Sequence, residues 1–151
     1  MKISENTLKW GMRLYPPLLF QRIWIQHIRS GFREASVKIN RSLFTINFGK
    51  AIFGGTIYTA TDPFYAMLFG QILKHKGYHI SIWLKGASIQ FLKPGRTDLY
   101  YHIKITDEMI KEAEEELDRK GVFVKTYTIE IYSKTNVLHA IAKNEIYIRK
   151  K

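Results

Sequence analysis

A chain of 151 residues is about the length at which one compact domain buries most of its apolar surface, and 46% hydrophobic with 14% aromatic residues excludes a disordered chain. No cysteine is present, which excludes disulfides, thiolate metal sites and a cysteine nucleophile. The 24 Lys and Arg against 13 Asp and Glu give a formal charge of +11, which attracts nucleic acid, anionic lipid or nucleotide phosphates, although much of it sits on scattered residues and in the tail Arg149-Lys150-Lys151.

Residues 1–151 read as one domain without a linker. Met1 to Asn6 lack a charged stretch followed by an apolar run, so no secretory signal is read and cytoplasm is the expected location. Leu8, Met12 and Tyr15 at helical spacing predict an amphipathic helix from Thr7 to Tyr15, stopped by Pro16-Pro17. Gln21 to Arg29 reads as a strand. Ser30-Gly31 is a turn signal, and the alternation of Ala35, Val37 and Ile39 completes a hairpin.

A loop through Asn47-Phe48-Gly49 leads to Phe53-Gly54-Gly55, which opens a long apolar helix ending near Lys74 to Gly77. The run from Ala51 to Leu73 has no Lys or Arg and is long enough to cross a bilayer, but Asp62 and Pro63 at its centre oppose that. A helix apolar nearly all round is instead expected inside a sheet. Pro63 supplies no N–H, so the carbonyl of Thr59 loses its usual partner and a kink is predicted beside Asp62.

Strands follow at Ile80 to Leu92 and Asp98 to Thr106, separated by Lys93-Pro94-Gly95-Arg96. Strict alternation puts Trp83, Lys85, Ala87, Ile89 and Phe91 on one face of the first. Asp107 is the expected N-cap of a surface helix through Lys120 with the inner stripe Ile110, Ala113 and Leu117. Val122 to Tyr132 and Val137 to Ile148 form a closing hairpin. The sum is an α+β fold, about six antiparallel strands around a long buried central helix, with an N-terminal helix and one extra surface helix. A sheet covers one side of such a helix, so a two-fold homodimer is expected to cover the rest.

Phe53 stands six residues after Asn47, and Asp62 seven after Gly55. This pattern of Asn47, Phe53-Gly54-Gly55 and Asp62 resembles the hotdog-fold thioesterases of the phenylacetic-acid-pathway type. Trp83-x-Lys85-x-Ala87-x-Ile89-x-Phe91-x-x-Pro94 and the N-terminal helix bring it nearer to a poorly characterised thioesterase-like branch. The resemblance covers the whole chain and implies a hotdog fold, an acyl-CoA substrate or ligand without a further cofactor, and a homodimer or tetramer with the site across the dimer seam. Where the family motif has His-Gly-Gly, this chain has Phe53, so any role of that imidazole is missing.

Thioester hydrolysis needs a base or carboxylate nucleophile and donors aimed at the developing oxyanion. Asp62 is the candidate for the first, with a raised pKa expected in its apolar surroundings. Gly54 and Gly55, at a helix N-terminus, are candidates for the second, and Asn47 for a further donor. Seven residues of helix separate Asp62 from Gly55 by roughly 10 Å, too far for one carbonyl to touch both in the same chain. Phe53, Tyr58, Phe64 and Tyr65 are candidate substrate contacts along the seam, and Lys85 a candidate contact to a CoA phosphate or to the Asp62 region. The bland readings are a structural acid at the kink for Asp62, tight packing for the glycines, a turn former for Asn47 and a snorkelling side chain for Lys85. His27, His75, His79, His102 and His139 show no metal-ligand spacing, so no metal is expected. Two functions compete, an acyl-CoA thioesterase and a non-catalytic acyl or acyl-CoA binder. Nucleic-acid binding rests on charge alone, without a recognised motif, and dehydratase chemistry finds no His beside Asp62.

Overall fold

Apolar residues at every second position build the sheet, because alternate side chains of a strand point to opposite faces. The computed structural model describes residues 1–151, apart from the side chain of Ser30. Among the described residues six antiparallel strands make one sheet: β1 (Ile23–Ile28), β2 (Glu34–Ile39), β3 (Ile80–Phe91), β4 (Leu99–Lys104), β5 (Val122–Ser133) and β6 (Leu138–Lys150), in the spatial order β1-β2-β4-β5-β6-β3. Ile23 and Ile25, Ala35, Val37 and Ile39, Leu99, Tyr101 and Ile103, and Ile129 and Ile131 are buried on the concave face. The strands flanking the Lys93-Pro94-Gly95-Arg96 turn do not pair: β4 joins β2, whereas β3 joins β6 at the far edge.

The central helix lies in this curl, as the long apolar run predicts, but as two pieces, α3 (Gly54–Thr61) and α4 (Pro63–His75). Ile57, Ala60, Phe64, Leu68, Phe69 and Leu73 are buried against the sheet. Each such large apolar side chain contributes about 1.5–3 kcal/mol. The helix is not buried all round: Tyr58, Asp62 and Met67, four and five residues apart, mark a side that the single chain leaves open. Among the described residues no helix is long and apolar enough to cross a membrane.

The N-terminal helix runs from Glu5 to Leu14 (α1), capped by the Ser4 hydroxyl, which accepts from Thr7 N at 3.1 Å. Tyr15 is exposed and ends it instead of joining its inner stripe. The two prolines do more than stop the helix, since Pro16 starts a short second one, α2 (Pro16–Phe20), where a missing N–H costs nothing. Surface helix α5 (Asp107–Lys120) buries Ile110, Ala113 and Leu117 as expected, but its N-cap is Thr106, whose hydroxyl accepts from Met109 N at 3.2 Å.

Alternation fails in β3. A bulge between Leu84 and Gly86 flips the pleat, so Ala87 and Ile89, opposite Asn144 and Ala142, turn inward. Trp83 and Lys85 face out with Tyr147 and Glu145, the Trp83 and Tyr147 rings stacked at 4.4 Å. The predicted common face is thus two faces.

Candidate active site at the break in the central helix

The break follows from Pro63. The N–H of Asp62 turns back to Thr59 O at 3.3 Å, supplying the partner that Pro63 cannot. The next two carbonyls are held from the sheet: the Tyr101 hydroxyl donates to Ala60 O, and Asn144 Nδ2 donates to Thr61 O at 2.7 Å. Both residues are buried, Asn144 completely. Neither is among the residues that the sequence singles out. A signal exists for Asn144, a lone polar residue among the inward Ala140, Ala142, Ile146 and Ile148. Asn144 Oδ1 and the hydroxyl of its cross-strand neighbour Tyr127 are buried and have no protein partner among the described residues.

The Asp62 side chain faces the other way. It is exposed, does not cap α4, and forms no hydrogen bond or ion pair among the described residues. Loss of water on its protein side raises its pKa above the ordinary aspartate value. A structural acid here would accept from the free N–H groups that open α4, and Asp62 makes no such bond among the described residues.

At the other end of α3 the chain is pinned by Ile52 N to Gly95 O at 2.8 Å and Phe53 N to Thr45 O at 2.7 Å. The Phe53 carbonyl accepts from Thr56 and Ile57, while the N–H groups of Gly54 and Gly55 have no protein acceptor among the described residues. Both glycines lie under aromatic rings that a larger side chain would have to displace. A Cβ on Gly55 would come within 2.4 Å of the Phe53 ring, and one on Gly54 within 3.0 Å of Phe91. Asn47 and Gly54 share a shallow cavity of about 370 Å³ with Ile57, Phe91 and Pro94. Asn47 itself is a turn former: its Oδ1 accepts from Ala51 N at 3.2 Å.

The structure therefore brings Asn47, Phe53, Gly54 and Gly55 together at one end of α3 and leaves Asp62 at the other. Tyr58 lies between, exposed. Phe64 and Tyr65 do not join them. Phe64 is fully buried, edge-on to Tyr101, and Tyr65 stacks on Tyr127 at 4.6 Å, so both rings pack the core on the sheet side of the helix. Lys85 pairs with Glu145 at 3.4 Å on the outer face, with the sheet between it and the helix. A different apolar lining stands next to Asp62: a groove of about 510 Å³ formed by Ile3, Leu8, Met12, Leu18, Pro63 and Met67. No group of three His, Asp or Glu is placed to hold a metal among the described residues.

The sequence matches residues 5–146 of this chain to a family described as a domain of unknown function, DUF4442. No protein of curated function matches it. Solved structures share the fold at low identity. A candidate thioesterase of otherwise unknown function from Pseudomonas aeruginosa is 12% identical with a TM-score of 0.81, over 100% of this chain and 99% of that one. A thioesterase from Haemophilus influenzae is 10% identical with a TM-score of 0.71, over 99% and 93%. The PaaI protein of the phenylacetic acid degradation operon of E. coli is 16% identical with a TM-score of 0.62, over 98% and 96%. The antiparallel sheet around a central helix is the hotdog fold of these thioesterases, as the resemblance implies.

Proposed function

The chain belongs to the DUF4442 family, and from that premise and its thioesterase-like hotdog fold we propose that it hydrolyses an acyl-CoA thioester. One observation carries this reading: Asp62 is a carboxylate on the open side of the central helix, with a raised pKa and no structural partner among the described residues. In this reading Asp62 takes a proton from water, whose oxygen attacks the thioester carbonyl. The oxyanion is met by the N–H groups of Gly54 and Gly55 of a second copy, and collapse expels the thiolate, which takes the proton back. Such a base is worth about 10²–10⁴-fold in rate.

A homodimer, or a tetramer made of such dimers, supplies the second copy. β3 is a 12-residue edge strand bonded along one side only, to β6, among the described residues. Pairing two such edges continues the sheet and covers the open side of each helix. The acyl chain is assigned to the groove beside Pro63 and Met67, whose volume lies within the roughly 300–1,000 Å³ of small-ligand sites.

A second reading has its own observation. Phe53 stands where the family motif has His, its ring packed over Gly55, which suits an acyl-CoA binder without turnover. The discriminating experiment is hydrolysis of short, medium, long and aromatic acyl-CoAs by the purified protein, with Asp62→Asn as matched control. Hydrolysis lost in the variant supports the enzyme. Tight acyl-CoA binding with no turnover in either protein selects the binder.

A further inference from the structure

Three large apolar side chains of the loop between β2 and α3 lie outside the fold: Leu43 is 88% exposed, Phe44 77% and Phe48 110%. The loop that carries them is well tied. Thr45, 1% exposed, donates its hydroxyl to Asn40 O at 2.9 Å and accepts from Ser42 N at 2.9 Å, and Ile46 bridges Ile52. The Arg41 guanidinium holds Lys50 O at 3.0 and 3.2 Å, and Arg96 holds Gly49 O at 3.0 Å. Phe48 therefore stands at the tip of a turn fastened on both sides. A framework with this many hydrogen bonds fixes the backbone from which these apolar side chains project, and exposed apolar clusters of this kind mark interaction sites.

The charges around them are mostly positive. Arg22 lies 5.0 Å from the centre of the Phe44 ring, and Arg41, Lys50, Lys93 and Arg96 are exposed on the same loops. The acid among them, Asp98, is already taken by Lys38 at 3.0 Å and by the Arg41 N–H at 2.8 Å. The chain's acids are gathered elsewhere: α5 carries seven of the 13. Phe53, Phe91 and Leu92 sit beside the β3 edge and are left to the dimer seam.

We infer that the Arg41–Lys50 loop docks on the surface of an anionic lipid bilayer, with Leu43, Phe44 and Phe48 entering the interfacial layer and Arg22, Arg41, Lys50, Lys93 and Arg96 meeting lipid phosphates. Aromatic and aliphatic side chains ringed by cations match that interface in both polarity and charge. A two-fold axis through the patch would set cations against cations, which argues against the patch packing on its own copy. The inference stands on the loop alone and does not depend on the hydrolase reading.

The test uses the full chain with Phe48→Trp, its emission compared with that of the unsubstituted protein, and vesicles of phosphatidylcholine with or without phosphatidylglycerol. Binding and a blue shift on the anionic vesicles are expected, weakened by salt. Lys50→Glu with Lys93→Glu should weaken binding by at least about tenfold, since each cation at such a surface is worth roughly fivefold. Leu43→Ser with Phe44→Ser should abolish the shift. No binding to anionic vesicles at low salt overturns the inference. So does a blue shift already present without vesicles, which would put a second copy on the loop, or binding of single-stranded RNA but not of vesicles.

Discussion

The two sides of one helical turn are built on opposite principles. On the inner side of the break between α3 and α4, Tyr101 and Asn144 are buried and their donors are spent on the carbonyls of Ala60 and Thr61. On the outer side, Asp62 is open and its carboxylate has no protein partner among the described residues. The difference teaches that the kink is maintained by the sheet and not by the acid beside it. In the proposed reading this acid, with no protein partner among the described residues and a pKa raised by its apolar surroundings, is the group available for chemistry.

Substitutions sharpen this contrast, the largest stability effect first. Phe64→Ala empties a fully buried position on the inner side and should cost about 3–5 kcal/mol in denaturant unfolding. Replacing Asn144 by Ala leaves Thr61 O buried without that donor and should cost about 1–3 kcal/mol. Tyr101→Phe should destabilise by a similar amount, whereas Tyr127→Phe removes a buried hydroxyl with no protein partner among the described residues and should leave the melting temperature equal or higher. If both tyrosine changes destabilise alike, the carbonyl contact of Tyr101 is not what matters. Lys85→Ala breaks an ion pair on the far face of the sheet and should change stability by about 0–1 kcal/mol and KM for acyl-CoA not at all. A raised KM would bring Lys85 back as a phosphate contact.

Much of the fold is legible because burial leaves a local trace. The alternation in β2, β4 and β6 and the stripe of α5 report their inner faces directly, and Pro63 reports the kink. In β3 one inserted residue at the bulge reverses every later side chain, and alternation alone does not reveal it. The site is legible in part. Asp62, Gly54 and Gly55 stand out by residue type and spacing, and the N–H groups of the glycines and the carboxylate of Asp62 have no protein partner among the described residues. Phe64 and Tyr65 are misread as lining because both sides of an apolar helix look alike until the sheet is placed against one. Tyr101 and Asn144 escape notice because the carbonyls that they hold are 41 and 83 residues away.

The claim that Asp62 serves chemistry and not structure is tested most directly by measuring acyl-CoA turnover and thermal unfolding of Asp62→Asn in the same preparation at neutral pH. The folded-state pKa of Asp62 is raised, so the native state favours its protonated form, and stability is lost as pH rises from the unfolded value near 3.8 through the raised one. Removing the charge should therefore leave the melting temperature unchanged or higher while turnover falls by about 10²–10⁴-fold. A melting temperature that drops in step with turnover would make Asp62 a structural acid and contradict the account.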